Sequence, residues 1–129
     1  MHERRISDAE WRILEQLWAD APRTSTQIAA SLREDPGWSK STVMTMLTRM
    51  EAKGLLRFES GGRARLYYPT VTREAAARQE TAGLLRRVYR GSVGLLLRTL
   101  VDGERLSNAE LEELHSILRD AEEKQHDET

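Results

Sequence analysis

Apolar residues recur along this chain mainly at the three- and four-residue spacing of amphipathic helices. Four of these patterns open on a Ser or Thr that can cap a helix, namely Ser7, Thr24, Ser39 and Ser107. These caps predict helices that begin at about residues 8, 25, 40 and 108. Two further helical patterns cover 73–89 and 93–101, with a break between them at Gly91-Ser92.

Between the third and fourth helical patterns the apolar residues alternate instead. Leu56 and Phe58 before Gly61-Gly62, and Leu66 and Tyr68 after it, alternate with polar residues, which predicts a β-hairpin. Three helices and a hairpin within about 70 residues are the element order of a winged helix-turn-helix. The predicted fold class is therefore mainly α with a small β-hairpin. We expect a DNA-binding winged helix-turn-helix domain over 1–71 and a C-terminal helical dimerisation region over 72–129.

The third helix, within "WSKSTVMTMLTRMEAKGLL" at 38–56, has an unusual polar face. On a helical wheel its buried side is predicted to hold Val43, Met46, Leu47 and Met50. The opposite side carries Ser41, Thr45 and Thr48, with Thr42 and Arg49 on one shoulder and Met44 on the other. Short hydroxyl side chains allow close approach to the DNA major groove, and an arginine can bind guanine or phosphate through two hydrogen bonds. The alternative is that Ser and Thr are merely tolerated on an exposed helix.

Charge is distributed unevenly along the chain, although the net charge is only −1. Residues 36–68 hold six basic and two acidic groups, whereas residues 99–129 hold three basic and ten acidic groups. Arg63 and Arg65 are predicted to lie on one face of the second hairpin strand, and Lys53 and Arg57 add charge after the helix. The alternative for these residues is a solvated basic hairpin, but the element order, the hydroxyl face and this charge together favour DNA. The predicted DNA-binding residues are Lys40, Ser41, Thr42, Thr45, Thr48, Arg49, Lys53, Arg63 and Arg65.

The C-terminal half has more apolar residues than one thin helical layer can cover. The short helix over 93–101 is predicted to be apolar around most of its circumference, which requires cover on all sides. Three short helices could pack on themselves, but a second copy of the chain gives fuller cover. The residues predicted to form a homodimer are Leu84, Leu85, Val88, Val93, Leu96, Leu97, Leu100, Leu111, Leu114 and Leu118.

Four stretches of the chain, taken together and in order, resemble one known family. They are "ISDAEWRILEQLW", "WSKSTVMTMLTRMEAKGLL", "GRARLYYP" and "GSVGLLLRTLVDGERLS…ELEELHSIL". The family is that of the penicillinase repressors, which regulate β-lactamase and methicillin-resistance genes. The resemblance implies a dimeric winged-helix repressor on a dyad-symmetric, double-stranded DNA operator. It also implies derepression by proteolysis through a membrane-bound sensor metalloprotease, with the cut aligned here to the Thr99–Leu100 bond.

The third helix follows the family's pattern only in part. Thr42, Thr45 and Arg49 match it, whereas Ser41 and Met44 stand where the better-known members carry basic residues. The resemblance therefore leaves the operator sequence open. The chain has no cysteine, so it cannot use the cysteine-rich metal motif of the family's copper-responsive branch.

The other residue patterns do not indicate catalysis. Glu112-x-x-His115 is half of a carboxylate-bridged metal motif and is more often surface decoration. With no catalytic triad order and no phosphate-binding loop, we expect no enzyme activity, no metal and no cofactor. The start of the chain shows no secretory signal, and no uncharged stretch of the sequence is long enough to span a bilayer. We therefore expect a cytoplasmic protein without stable membrane association. Two alternatives stay open: a winged-helix module that binds protein, and a ligand-responsive winged-helix regulator.

Overall fold

The structure is a computed structural model that describes residues 5–103 and 106–128. The chain forms two compact units, and the boundary between them lies between Ala82 and Gly83. The elements in chain order are α1 (Asp8–Ala19), α2 (Ser25–Ser31), α3 (Lys40–Ala52), β1 (Leu56–Gly61), β2 (Ala64–Pro69), α4 (Arg73–Tyr89), α5 (Val93–Asp102) and α6 (Asn108–Glu128).

The four predicted helix starts are confirmed, and side-chain capping explains three of them in the same way. At α1 the hydroxyl of Ser7 accepts a hydrogen bond from the Glu10 N–H at 3.1 Å. The Glu10 carboxylate in turn accepts from the Ser7 N–H at 2.9 Å. Thr24 with Gln27 repeats this reciprocal pair at α2, and Ser107 with Glu110 repeats it at α6. Each pair satisfies two backbone donors that a helix start leaves open.

The predicted hairpin is confirmed, with one correction to its basic residues. Strands β1 and β2 are antiparallel, with Leu56 opposite Pro69 and Gly61 opposite Ala64. The turn is therefore Gly62-Arg63, and Gly62 adopts the positive φ of 75° that a tight hairpin turn needs. The prediction that Arg63 lies on the second strand was wrong, because Arg63 is the second residue of the turn.

The first unit has a closed hydrophobic core between its helices and the hairpin. All of the following core residues are at most 6 % exposed. They are Ile6, Ile13, Leu14, Leu17, Ile28, Ala29, Leu32, Val43, Leu47, Met50, Leu55, Leu56, Tyr67 and Ala76. Met46 was predicted to be buried but is only partly so. The hairpin is tied down by the segment between α1 and α2, where the backbones of Arg23 and Tyr67 exchange hydrogen bonds of 2.8 and 3.3 Å.

The first unit extends beyond residue 71, where the sequence had suggested that the winged domain ends. Ala76 on α4 is fully buried in the core. Ahead of it, the indole N–H of Trp18 donates a 2.8 Å hydrogen bond to the Val71 carbonyl. Trp18 and Trp11 meet edge to face with their ring centres 5.1 Å apart. The first turns of α4 therefore belong to the winged-helix unit.

In the second unit no large apolar side chain of the described residues is buried. Of the predicted dimerisation residues, five are exposed, with values from 37 % to 56 %: Leu84, Val88, Val93, Leu100 and Leu118. The other five are half-buried: Leu85, Leu96, Leu97, Leu111 and Leu114.

The prediction that α5 is apolar around most of its circumference was wrong. At 100° per residue, its apolar residues other than Leu95 fall within one arc of the helix. Leu95 lies on the other side together with Arg98 and Asp102. The helix is therefore amphipathic, with one broad apolar face. None of the described helices is apolar over enough length to span a bilayer.

Candidate nucleic-acid interface

Helix α3 is held by three buried side chains, and this burial determines which face is exposed. Val43, Leu47 and Met50 are fully buried in the core of the first unit. The helix begins at Ser39, whose hydroxyl accepts from the Thr42 N–H at 3.2 Å. It ends where Gly54 adopts a positive φ of 81°. Ser41, Thr45 and Thr48 are consequently all exposed, as predicted.

The hydroxyl groups of this face make hydrogen bonds within the helix. Thr45 donates to the Ser41 carbonyl and Thr48 donates to the Met44 carbonyl, each at 3.0 Å. Ser39 donates to the Thr42 hydroxyl at 3.0 Å. These bonds occupy the protons of the Thr45 and Thr48 hydroxyls, so these two groups present acceptor lone pairs and methyl groups to a partner.

The basic groups of α3 lie at the margins of this hydroxyl face. Lys40 and Arg49 are exposed, one in the first turn and one in the last. Beside Arg49 lies an open depression of about 440 Å³, lined by Ala9, Trp38, Ser41, Thr42, Thr45, Met46 and Arg49. The structure thus brings the predicted residues Ser41, Thr42, Thr45 and Arg49 together around one concave surface.

Lys53 lies apart from that surface and serves a different purpose. Its ammonium group is 2.8 and 3.0 Å from the two carboxylate oxygens of Glu10, and it donates to the Arg5 carbonyl at 2.7 Å. Burial acts to raise the pKa of Glu10, but the hydrogen bond from Lys53, the Ser7 N–H and the charge of Lys53 together lower that pKa. Lys53 therefore fastens the C-terminal end of α3 to the start of α1. This contact joins residues 43 positions apart, and no local sequence pattern indicated it.

The hairpin orders its arginines on aromatic rings. The Arg65 guanidinium lies 4.2 Å from the centre of the Phe58 ring. On the other face Arg57 lies 4.1 Å over Tyr68 and pairs with Glu59 at 2.9 Å. Arg63 at the turn is exposed. Stacking on a ring restricts a guanidinium without neutralising it, whereas the Glu59 carboxylate offsets the charge of Arg57.

Comparison with known proteins identifies the family. A family model described as penicillinase repressor matches residues 6–120. The chain belongs to the penicillinase repressor family.

Characterised relatives match this chain over most of its length and over most of their own. The chain is 28 % identical over 115 residues to the penicillinase repressor of Bacillus licheniformis, covering 89 % of this chain and 90 % of that one. It is also 28 % identical over 113 residues to the methicillin resistance regulatory protein MecI of Staphylococcus aureus (strain N315), covering 88 % and 92 %.

Two solved structures of a penicillinase repressor share the fold. The DNA-binding domain of the repressor BlaI matches with a TM-score of 0.52 and 28 % identity, covering 57 % of this chain and 90 % of that one. The monomeric form of Bacillus licheniformis BlaI, in complex with the blaP half-operator, matches with a TM-score of 0.50 and 30 % identity, covering 55 % and 87 %. The predicted winged-helix fold is thereby confirmed. The predicted DNA contacts all lie within the matched span 6–120, and their roles stay predictions.

Proposed function

We propose that this protein is a transcriptional repressor that binds a dyad-symmetric DNA operator as a homodimer, with α3 in the major groove. The observation that carries the proposal is the exposed, uncharged hydroxyl face of α3, bordered by Lys40 and Arg49. Such a face can approach base edges closely while its margins reach phosphates. The relative BlaI was solved in complex with the blaP half-operator, which supports binding to operator DNA.

The proposed contacts divide by their chemistry. Ser41, Thr42, Thr45 and Thr48 supply acceptors and methyl groups, and Arg49 supplies a bidentate donor. Lys40, Arg63 and Arg65 bind the phosphate backbone, with Arg63 at the hairpin turn reaching furthest from its strands. Lys53 is not part of this surface, because its ammonium group binds Glu10.

Dimerisation through the second unit is part of the proposal. Leu84, Val88, Val93, Leu100 and Leu118 are exposed apolar side chains of 37–56 % exposure. Solvated single apolar residues are common on protein surfaces, but a set this large on three helices favours burial in an assembly. A dimer also doubles the phosphate contacts and so the salt dependence of binding.

Release by proteolysis at the Thr99–Leu100 bond is proposed from the family resemblance. Both residues are exposed on α5, and the Thr99 hydroxyl donates to the Leu95 carbonyl at 2.9 Å. A cut there would separate the last four dimerisation residues from the first six, so the dimer would dissociate. The last four are Leu100, Leu111, Leu114 and Leu118. The proposed protease is a membrane-bound sensor metalloprotease. The mass of the protein recovered from derepressed cells checks this step, and an intact chain there would contradict it.

A mobility-shift titration with DNA from the upstream region of the protein's own gene tests the function. We expect Arg49→Ala to cost about 1–3 kcal/mol on the preferred sequence and to weaken its preference over other sequences. Arg63→Ala is expected to weaken all sequences alike and to reduce the salt slope by about one. Arg78→Ala, which removes an exposed arginine from α4, is the matched control.

The outcomes separate the proposal from its alternatives. Wild-type affinity in both Arg49→Ala and Arg63→Ala would rule out the groove placement. Weak binding by the wild type without sequence preference would favour the protein-interaction module instead.

A further inference from the structure

One exposed side chain on α3 does not fit a purely polar contact surface. Met44 is 37 % exposed and is the only large apolar side chain so exposed among the described residues of the first unit. Its carbonyl accepts the hydroxyl proton of Thr48, one turn further along the helix. Met44 and Thr48 therefore lie side by side on the surface that the proposed function directs at DNA.

The two threonines beside Met44 make this part of the surface more apolar than their type suggests. The hydroxyl of Thr45 is turned back to the Ser41 carbonyl, as that of Thr48 is to Met44. With the proton of each hydroxyl bonded to the preceding turn, the outward group that remains chemically distinctive is the methyl. Met44, Thr45 and Thr48 are neighbours on the exposed side of α3, and we call their outward methyl and thioether groups the methyl strip.

The chemistry of base edges indicates what a methyl strip recognises. In the major groove each base pair presents donors and acceptors, and thymine alone adds an apolar group, its 5-methyl. A flexible thioether can adapt its shape to the thymine methyl group. A charged or amide side chain in its place would leave that methyl group without an apolar neighbour. Arg49 is suited to guanine or phosphate, but it lies on the other shoulder of α3.

We propose that the methyl strip reads thymine 5-methyl groups in the operator, and that Met44 is a specificity-determining residue for one of them. This inference rests on the proposed function, because it requires α3 to enter the major groove. It assigns to Met44 a role in selecting A·T pairs, and it makes the methyl of each threonine, rather than its hydroxyl, the selective group.

The first test removes the methyl from the DNA. Full-length wild-type protein is used to select duplexes from a randomised pool, and each thymine of the selected duplex is then replaced singly by deoxyuridine. We expect about a fourfold loss of affinity at each contacted thymine, the effect of withdrawing one methyl from burial. Thymines in the constant flanks of the selected duplex serve as controls, and their replacement should leave the affinity unchanged. In Met44→Ala one of the sensitive thymines should become insensitive to deoxyuridine while the others keep their response.

The second test separates methyl from hydroxyl on the protein. Thr45→Val keeps the methyl and removes the hydroxyl, whereas Thr45→Ser does the reverse. We expect Thr45→Val to keep the deoxyuridine response of the wild type, because the variant keeps the methyl. We expect Thr45→Ser to lose about fourfold in affinity together with its response at one thymine. Both substitutions are at an exposed helix position, and thermal melting of each variant verifies that the fold is intact.

The results distinguish this inference from the function beneath it. Selection of no preferred duplex by the wild type would overturn the proposed function and this inference with it. Two results would overturn the recognition of thymine methyl groups while leaving the proposed function intact. One is specific binding that does not change with deoxyuridine at any position. The other is a deoxyuridine response that is lost in Thr45→Val but kept in Thr45→Ser.

Discussion

The two units use the same local devices to form helices but differ in what they bury. Among the described residues of the first unit, fourteen apolar side chains form a closed core, and several of them are completely inaccessible. In the second unit the described residues include no buried large apolar side chain. Both α1 and α6 nonetheless begin with the same reciprocal Ser–Glu cap. Helix formation is therefore settled locally in both units, while tertiary stability is complete within one chain only in the first.

Because of this difference in burial, we expect the stability of the second unit, but not that of the first, to depend on assembly. A unit with its own core unfolds with a free energy that does not depend on protein concentration. A unit that leaves residues such as Val88 and Val93 about half exposed gains stability when a second copy covers them. The comparison can be tested by changing one residue in each unit.

The largest effect is expected from the core of the first unit. Leu47 on α3 is fully buried, so Leu47→Ala removes packed methyl groups and leaves a cavity. We expect a loss of about 2–5 kcal/mol in the free energy of unfolding. Chemical denaturation at two protein concentrations a hundredfold apart should give the same loss. A loss that varied with concentration would mean that the first unit is not stable by itself.

The second effect concerns assembly through the second unit. Leu118 on α6 is 48 % exposed in the single chain, and Leu118→Glu would place a charge in the proposed interface. We expect dimerisation to weaken by about 2–3 kcal/mol, since a charge is costly to bury in an apolar contact. Sedimentation equilibrium measures the change.

The matched control is Ser116→Glu, which adds the same charge to the opposite side of α6. It should leave the dimerisation constant unchanged. Equal dimerisation of Leu118→Glu and the wild type would show that this face of α6 is not the interface.

The sequence predicted most of the elements because their signals are local. Four caps located helix starts to the residue, and the alternation around Gly61-Gly62 located the hairpin. The burial of Ala76 and the bond from Trp18 to Val71 were not predicted, because they depend on how distant segments pack. The same reason explains why the ion pair of Lys53 with Glu10 was not predicted. On α5 the error was different, since a wheel of the same residues already places Leu95 apart from the rest.

The Glu10–Lys53 pair provides the third prediction, of intermediate size. Glu10 is 8 % exposed, and Lys53→Met would leave its carboxylate without a cation. Water reaches part of this pair, since the Lys53 side chain is 37 % exposed, so the cost should lie below that of a fully buried pair. We expect a loss of about 1–2 kcal/mol at pH 7.

The pH dependence of this loss identifies the pair as its cause. The pKa of Glu10 is lowered in the folded protein, despite its burial, by the hydrogen bond and charge of Lys53. The pair therefore stabilises the fold above the ordinary pKa of a glutamate, and this contribution is lost as the pH falls through the lowered value. The stabilities of wild type and Lys53→Met should therefore converge only in acid below the ordinary range of a glutamate pKa. In Glu10→Gln, the companion variant, the free energy of unfolding should differ from that of the wild type less in acid than at pH 7. Parallel plots of this free energy against pH for wild type and variants would contradict the role of the pair.

The smallest effect compares the two Ser–Glu caps. Ser7 and Ser107 accept from the N–H three residues on at 3.1 and 3.2 Å, so the local bonds are nearly equal. Their settings differ, because Glu10 is also bound by Lys53 whereas Glu110 lies at the exposed surface. We expect Ser7→Ala to lower the free energy of unfolding by about 1 kcal/mol. Ser107→Ala should leave the melting temperature of the first unit unchanged and instead speed amide hydrogen exchange in the first turn of α6. If Ser107→Ala lowered that melting temperature as much as Ser7→Ala does, the cap at the start of α6 would not act locally.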